Sequence, residues 1–307
     1  MTRRNIVDRL RAGEFFILDG ATGSELQQRG VNVNKGSSEN QLGAWSAAAN
    51  FDAPDVVREI HEDYLRAGAD IIISNNFYTT PSMLKLNGLE DQWEAYTRRG
   101  GELAVQARDA VNPDAYVAGG IAPPYKCDLS EEFSGQARVL ADAGVDFMIA
   151  EYMAGDSVID DPISDCATAV NACASSGLPA FLGLCRVTQR GTLYDGASFG
   201  DLFAELKGQP VAGVFLMCSY PEDISSCLPK LREVYDGPIG AYAHLEYNEN
   251  PKYGSSPDEP FFTLAVGENT PEKYAQTARG WKEMGVQIIG GCCATGPDHI
   301  RALRGAL

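Results

Sequence analysis

The chain has 307 residues, 44% hydrophobic and 22% charged, enough for a large core and, since barrels often exceed 200 residues, consistent with one domain spanning 1–307. Its 42 acidic and 25 basic side chains give a formal net charge of -17, which excludes a nucleic-acid binder built on clustered Lys and Arg and disfavours anionic membrane surfaces. No run of 18 apolar residues occurs and the N-terminus lacks a signal-peptide core, so a chain outside the membrane is expected. Eight cysteines (Cys127, Cys166, Cys173, Cys185, Cys218, Cys227, Cys292 and Cys293) in a long chain without a signal read as free thiols or metal ligands in a reducing cytoplasm.

In chain order, eight apolar segments end in Gly, Asn, Asp, Glu or Cys: 15–20, 70–77, 115–120, 146–152, 180–185, 213–218, 239–244 and 288–293. Continuous apolar runs suit parallel strands buried on both faces. Helical patterns separate them at 54–67, 93–111, 131–143, 161–175, 198–207, 221–235 and 271–284. Several of these open on proline and stop at glycine, the expected asymmetry of helix ends. The alternation predicts a single-domain α/β fold, a (β/α)8 TIM-type barrel. An open doubly wound sheet is the alternative, but it usually carries a glycine-rich phosphate loop after its first strand. Here that position reads Asp19-Gly20-Ala21-Thr22-Gly23-Ser24, without that spacing. Two long polar loops, 29–50 and 247–259, read as functional segments that substrate could order.

A barrel places its chemistry at the C-terminal ends of its strands. Those ends supply Asp19, Asn75, Asn76, Glu151, Cys185, Cys218, His244, Cys292 and Cys293. Adjacent side chains on a strand point to opposite faces. Cys292 and Cys293 can therefore serve one site only past the strand end, and Gly290-Gly291 are expected to supply both the bend and a close approach. The pair reads as two zinc ligands, against plain packing, a vicinal disulfide or a redox-sensing thiol pair. Cys218 is the favoured third ligand, with Cys185 and His244 as rivals. Three ligands leave one tetrahedral position open, as in a catalytic site. A zinc ion held by three thiolates is a weak Lewis acid, suited to keeping a substrate thiol deprotonated, which favours alkyl transfer to sulfur over hydrolysis.

The stretches Leu18-Asp19-Gly20-Ala21-Thr22-Gly23-Ser24-Glu25-Leu26, Trp45-Ser46-Ala47, 57–69, Cys218-Ser219-Tyr220-Pro221 and Gly290-Gly291-Cys292-Cys293 together resemble the homocysteine S-methyltransferase family along nearly the whole chain. The resemblance implies a zinc-dependent barrel that methylates L-homocysteine to methionine. By motif position it assigns Cys218, Cys292 and Cys293 to zinc, with no catalytic residue beyond that site. It assigns Asp19, Gly20, Ala21, Thr22 and Glu151 to the amino-acid end of homocysteine. Asp19 as a turn residue and Glu151 in a structural ion pair are the competing readings. Met217 stands where the family usually has Asn.

Asn76-Phe77-Tyr78, Val117-Ala118-Gly119-Gly120 and Ile149-Ala150-Glu151-Tyr152 are closest to the betaine-using branch. In that branch Trp45 and Tyr78 match donor-site aromatics, and Tyr152 matches a tyrosine that can take the open zinc position without substrate. Aromatic faces attract onium cations of either nitrogen or sulfur, so betaine and a sulfonium such as dimethylsulfoniopropionate are both expected donors. S-methylmethionine and S-adenosylmethionine remain alternatives, and a homo-oligomer is left open.

Overall fold

The computed structural model describes residues 3–33, 43–123, 128–155, 161–245 and 269–307. Its strands are β1 (Phe16–Ile17), β2 (Ile71–Ile73), β3 (Tyr116–Ile121), β4 (Phe147–Met153), β5 (Ala180–Cys185), β6 (Val211–Met217), β7 (Ile239–Ala243) and β8 (Ile288–Gly291). They form one sheet in the order β1-β8-β7-β6-β5-β4-β3-β2. β1 pairs in parallel with β8, Phe16 opposite Ile288, and a parallel bridge from Leu18 to Ile71 joins β1 to β2. The sheet thus closes on itself, which removes the open doubly wound alternative and gives a (β/α)8 barrel.

Strand periodicity explains the two cores. Phe16, Leu18, Ile71, Tyr116, Phe147, Ile149, Phe181, Phe215 and Ile288 fill the barrel. The alternate residues Ile17, Ile72, Val117, Met148, Ala150, Leu182, Val214, Leu216 and Ile289 pack outward on the helices. Phe147 and Ile149 face inward, so the same phase turns Glu151 inward at the C-terminal end. Phe215 carries Met217 inward in the same way. A short helix not expected from the sequence, Ile6–Arg11, buries Ile6 and Leu10 against the inner core.

The helices Pro54–Ala67 and Trp93–Val111 have the expected bounds. Leu129–Ala143 begins earlier than expected because the Asp128 carboxylate caps it by accepting from Glu131 N. The 29–50 loop is shorter than expected: Trp45–Ala48 forms a 3-10 turn and Ala49–Asp52 a helical turn. Residues 34–42, the 247–259 loop and Cys127 lie outside the described residues. No helix among the described residues is long and apolar enough to cross a membrane.

Candidate active site

At the C-terminal end of the barrel a cavity of about 220 Å³ is lined by Gly20, Ala21, Thr22, Trp45, Tyr78, Glu151, Tyr152, Cys218, Cys292 and Cys293, among others. These are the expected site residues except Asp19. The Sγ atoms of Cys218, Cys292 and Cys293 lie within 4.8 Å of one another. Cys293 Sγ stands 3.9 Å from both partners, and Cys218 and Cys292 are 2.7 Å apart. Thiolates bound to one zinc ion at about 2.3 Å in tetrahedral geometry stand about 3.8 Å apart, so two of the three separations already suit such an ion. The described cysteines are all free, which excludes a vicinal disulfide in this structure. Cys185 and His244, the rival ligands, lie outside the cluster; Cys185 packs instead against Gly155, where a Cβ would collide with its sulfur. Hydrogen bonds from Cys218 and Cys292 hold the Cys293 thiol well below its ordinary range, and Cys218 lies well above its own. The cluster therefore already favours negative charge on one sulfur.

Backbone ladders continue past the strand ends to fix these thiols. Cys218 N donates to Tyr242 O at 3.1 Å, and Cys292 N to Ala243 O at 2.8 Å. β8 ends at Gly291. The chain then turns through Cys292–Thr295, closed by Thr295 N donating to Cys292 O at 3.1 Å. The residue that bends it is Ala294, at φ 63, not the two glycines, which lie in the strand. The glycines do supply the close approach: a Cβ on Gly290 would stand 2.6 Å from Asp19 O, and one on Gly291 would collide with Thr295. The turn is laced to the loop after β1, where Ala21 N donates to Thr295 O and Ala294 N to Ser24 Oγ, both at 3.1 Å.

Glu151 is buried, and its carboxylate crosses β3 where a Cβ on Gly120 would collide with it. Tyr242 donates its hydroxyl to Glu151 Oε1 at 2.8 Å and also lies 3.0 Å from Met217 Sδ. Met217 Sδ accepts from Tyr152 N at 3.2 Å, so a sulfur acceptor occupies the place where Asn was expected. Burial pushes Glu151 up to about 7, against the Tyr242 hydrogen bond. Asp19 lies below the cavity lining. Its Oδ2 accepts from Ile73 N at 2.8 Å, bracing the β1–β2 seam, which has a single bridge. Burial holds Asp19 well above the usual carboxylate range, with Glu151 adding to the rise. Among the described residues neither carboxylate pairs with Lys or Arg. Two buried carboxylates near each other, without a basic partner, are each easier to ionise once a cation stands beside them.

Aromatic rings also line the cavity. The Phe77 ring centre lies 4.7 Å from that of Tyr78 and 5.8 Å from that of Tyr152. Trp45 sits over Gly23, where a Cβ would stand 2.6 Å from its Nε1. Its segment is tied down by Asn75, which donates to Ser46 O at 2.8 Å and to Asn50 Oδ1 at 2.9 Å, while Asn50 donates back to Asn75 O at 2.8 Å. Trp45, Tyr152, Ala154, Arg186, Cys218 and Ala294 are the non-glycine residues at positive φ among the described residues. Each lines the cavity or lies within two residues of a lining position, and such backbone strain concentrates at functional sites.

A family model described as homocysteine S-methyltransferase matches residues 16–307. The chain belongs to that family. It is a methyltransferase, and the resemblance in its motifs holds. The betaine–homocysteine S-methyltransferase 1 of Xenopus laevis is 28% identical over 320 residues, covering 98% of this chain and 75% of that protein. The homocysteine S-methyltransferase of Escherichia coli (strain K12) is 29% identical over 318 residues, covering 95% and 94%. Among solved structures, the metallated form of the homocysteine methyltransferase MmuM from Escherichia coli matches with a TM-score of 0.74 at 27% identity, covering 97% of this chain and 98% of that one.

Two residues of this methyltransferase's cavity escaped the sequence reading. Tyr242 lies two positions before His244 at an inward phase of β7, a signal that could have found it. Arg186 follows Cys185 directly, one residue beyond the strand end.

Proposed function

We propose that this enzyme transfers a methyl group from a small onium donor, glycine betaine or a sulfonium such as dimethylsulfoniopropionate, to L-homocysteine, giving methionine. The observation that carries the reading is one cavity lined both by three clustered thiols and by a buried carboxylate. Homocysteine has matching groups, a thiol and an ammonium. Cys218, Cys292 and Cys293 would hold zinc, which, when bound, supplies deprotonation of the substrate thiol. Glu151, with Asp19 behind it, takes the ammonium as a charge-assisted partner. The backbone at Gly20, Ala21 and Thr22 receives the carboxylate of homocysteine. Trp45 and Tyr78 hold the onium head, and Tyr152 occupies the space beside the thiols until substrate enters.

With both substrates aligned, a new sulfur–methyl bond forms as the donor's nitrogen–methyl or sulfur–methyl bond breaks. The bonding electron pair stays on the donor heteroatom, which leaves neutral. No side chain need move a proton in this step, so positioning carries much of the rate. S-methylmethionine is the second donor reading, because a relative from Pongo abelii named S-methylmethionine–homocysteine S-methyltransferase is 29% identical over 320 residues. The free thiols suit a reducing compartment, for which we propose the cytoplasm. A closed structural zinc site or a redox sensor fits less well, since the thiols face an open cavity.

The test is methionine formation from homocysteine with a panel of betaine, dimethylsulfoniopropionate, S-methylmethionine and S-adenosylmethionine, with bound zinc measured alongside. Stoichiometric zinc with turnover of a small onium supports the reading. Zinc without methionine from any donor overturns it.

A further inference from the structure

Arg186 is the only Lys or Arg lining the cavity among the described residues. It also lines an adjoining chamber of about 430 Å³, which shares Arg186, Cys218 and His244 with the first and has no other Lys or Arg on its walls. The remaining ionisable side chains facing the two chambers include Glu151, Asp223, His244 and the three clustered thiols. Glu151, Asp223 and the thiols repel an anionic ligand group when ionised, which leaves the Arg186 guanidinium as the permanently cationic group among the described residues of these walls.

The arginine is held in place. It follows β5 at φ 51. The next residue, Val187, donates its N–H to Ser219 Oγ at 3.0 Å, and that hydroxyl donates to Met217 O at 2.8 Å. The Arg186 backbone is thereby tied to the strand that leads into Cys218. Its guanidinium carbon stands 5.3 Å from the centre of the Tyr194 ring. A guanidinium is a planar fork of five N–H donors, the geometry that matches a carboxylate.

The cavity that Arg186 lines also carries aromatic rings. Tyr78, Phe77 and Tyr152 form a continuous row. Tyr152 lies in β4, and β4 pairs directly with β5, Met153 opposite Leu184. Arg186, two residues beyond Leu184, lines the same cavity as these rings and is its cationic member among the described residues. A small zwitterion held there would place its onium head on the rings and its carboxylate at the guanidinium.

We infer that Arg186 is the residue that binds the carboxylate of a zwitterionic methyl donor, so that the enzyme selects onium compounds bearing a carboxylate over those lacking one. The inference rests on the methyl-transfer reading above, but not on whether nitrogen or sulfur carries the methyl group.

The experiment uses zinc-loaded enzyme, wild type and the R186Q and R186K variants, with two matched pairs of ligands: dimethylsulfoniopropionate against trimethylsulfonium, and glycine betaine against tetramethylammonium. Calorimetry should show that the wild type binds the carboxylate-bearing member of at least one pair about tenfold or more tightly, as expected for a charged hydrogen bond. R186Q should bring that ratio close to one while leaving the carboxylate-free member's affinity unchanged; R186K should retain part of the preference. In turnover, the donor KM should rise about tenfold in R186Q and the homocysteine KM by less than twofold, which also reports a folded site. Equal loss for both members of the pair overturns the inference. So does a rise in homocysteine KM alone, which would assign Arg186 to the other substrate's carboxylate. Preserved ligand discrimination without methionine formation would overturn the methyl-transfer reading, and with it the donor role, while leaving Arg186 as a carboxylate site for a zwitterionic onium ligand.

Discussion

The thiol side of the cavity hangs on strand ends, whereas Trp45, Phe77 and Tyr78 of its aromatic side lie outside the strands. Cys218 and Cys292 are fixed by backbone hydrogen bonds to Tyr242 and Ala243, so both are referred to β7. Trp45 instead depends on the side-chain amides of Asn50 and Asn75. A backbone ladder is insensitive to most substitutions, whereas an amide pair can be lost in one step. In the function proposed above, the reacting sulfur is held by strand ends and the donor by a segment braced through side-chain amides.

Substitutions on the two sides should separate this division of labour. The largest effect is expected from Cys218→Ala, Cys292→Ala or Cys293→Ala: metal content falls toward zero and methionine formation drops more than about a thousandfold, roughly 4 kcal/mol in barrier. Retention of stoichiometric metal and rate by the Cys292→Ala/Cys293→Ala double variant would place the metal elsewhere. Next is Glu151→Gln, which should raise homocysteine KM by roughly 10- to 150-fold, the worth of a charged hydrogen bond of about 1.5–3 kcal/mol. Because Glu151 is pushed up to about 7 and must be charged to hold an ammonium, wild-type affinity for homocysteine should fall as pH drops below about 7 and level off above it. That acid limb should vanish in Glu151→Gln.

Trp45→Ala acts on the other side. A cation–π contact of about 0.5–2 kcal/mol predicts a donor KM roughly 2- to 30-fold higher, with homocysteine KM nearly unchanged; equal shifts in both would break the comparison. Tyr242→Phe is a finer probe. Its hydroxyl lowers Glu151 toward the ordinary range, so removing it should move the acid limb to higher pH, read from the pH profile of homocysteine KM.

The sequence shows the two sides unequally. Strand segments and the helices at 54–67 and 93–111 are legible because burial on both faces and proline–glycine punctuation leave strong local patterns. The thiol site is legible too, since Gly290-Gly291-Cys292-Cys293 and Cys218 are rare residue types at strand ends. The role of Asp19 in bracing the β1–β2 seam is not, because its partner amide at Ile73 is 54 residues away. Tyr242 and Glu151 are likewise 91 residues apart, and one tyrosine in an apolar strand carries no pattern of its own. The role given to Gly290 and Gly291 differs for a related reason: glycine signals freedom to bend, but here its missing side chain matters and Ala294 makes the turn.

That turn also bears on heat resistance. A non-glycine residue held in the left-handed region costs about 1–3 kcal/mol, and Ala294 is one of the six such residues among the described ones. Ala294→Gly should relieve part of that cost, raising the melting temperature by roughly 2 °C for about 1 kcal/mol in a protein of this size. The same change should loosen the cysteine turn and weaken metal retention, measurable by competition with a chelator. A selection for thermal tolerance alone would therefore wear away the site first, and keeping the enzyme active sets a ceiling on how stable this barrel can become.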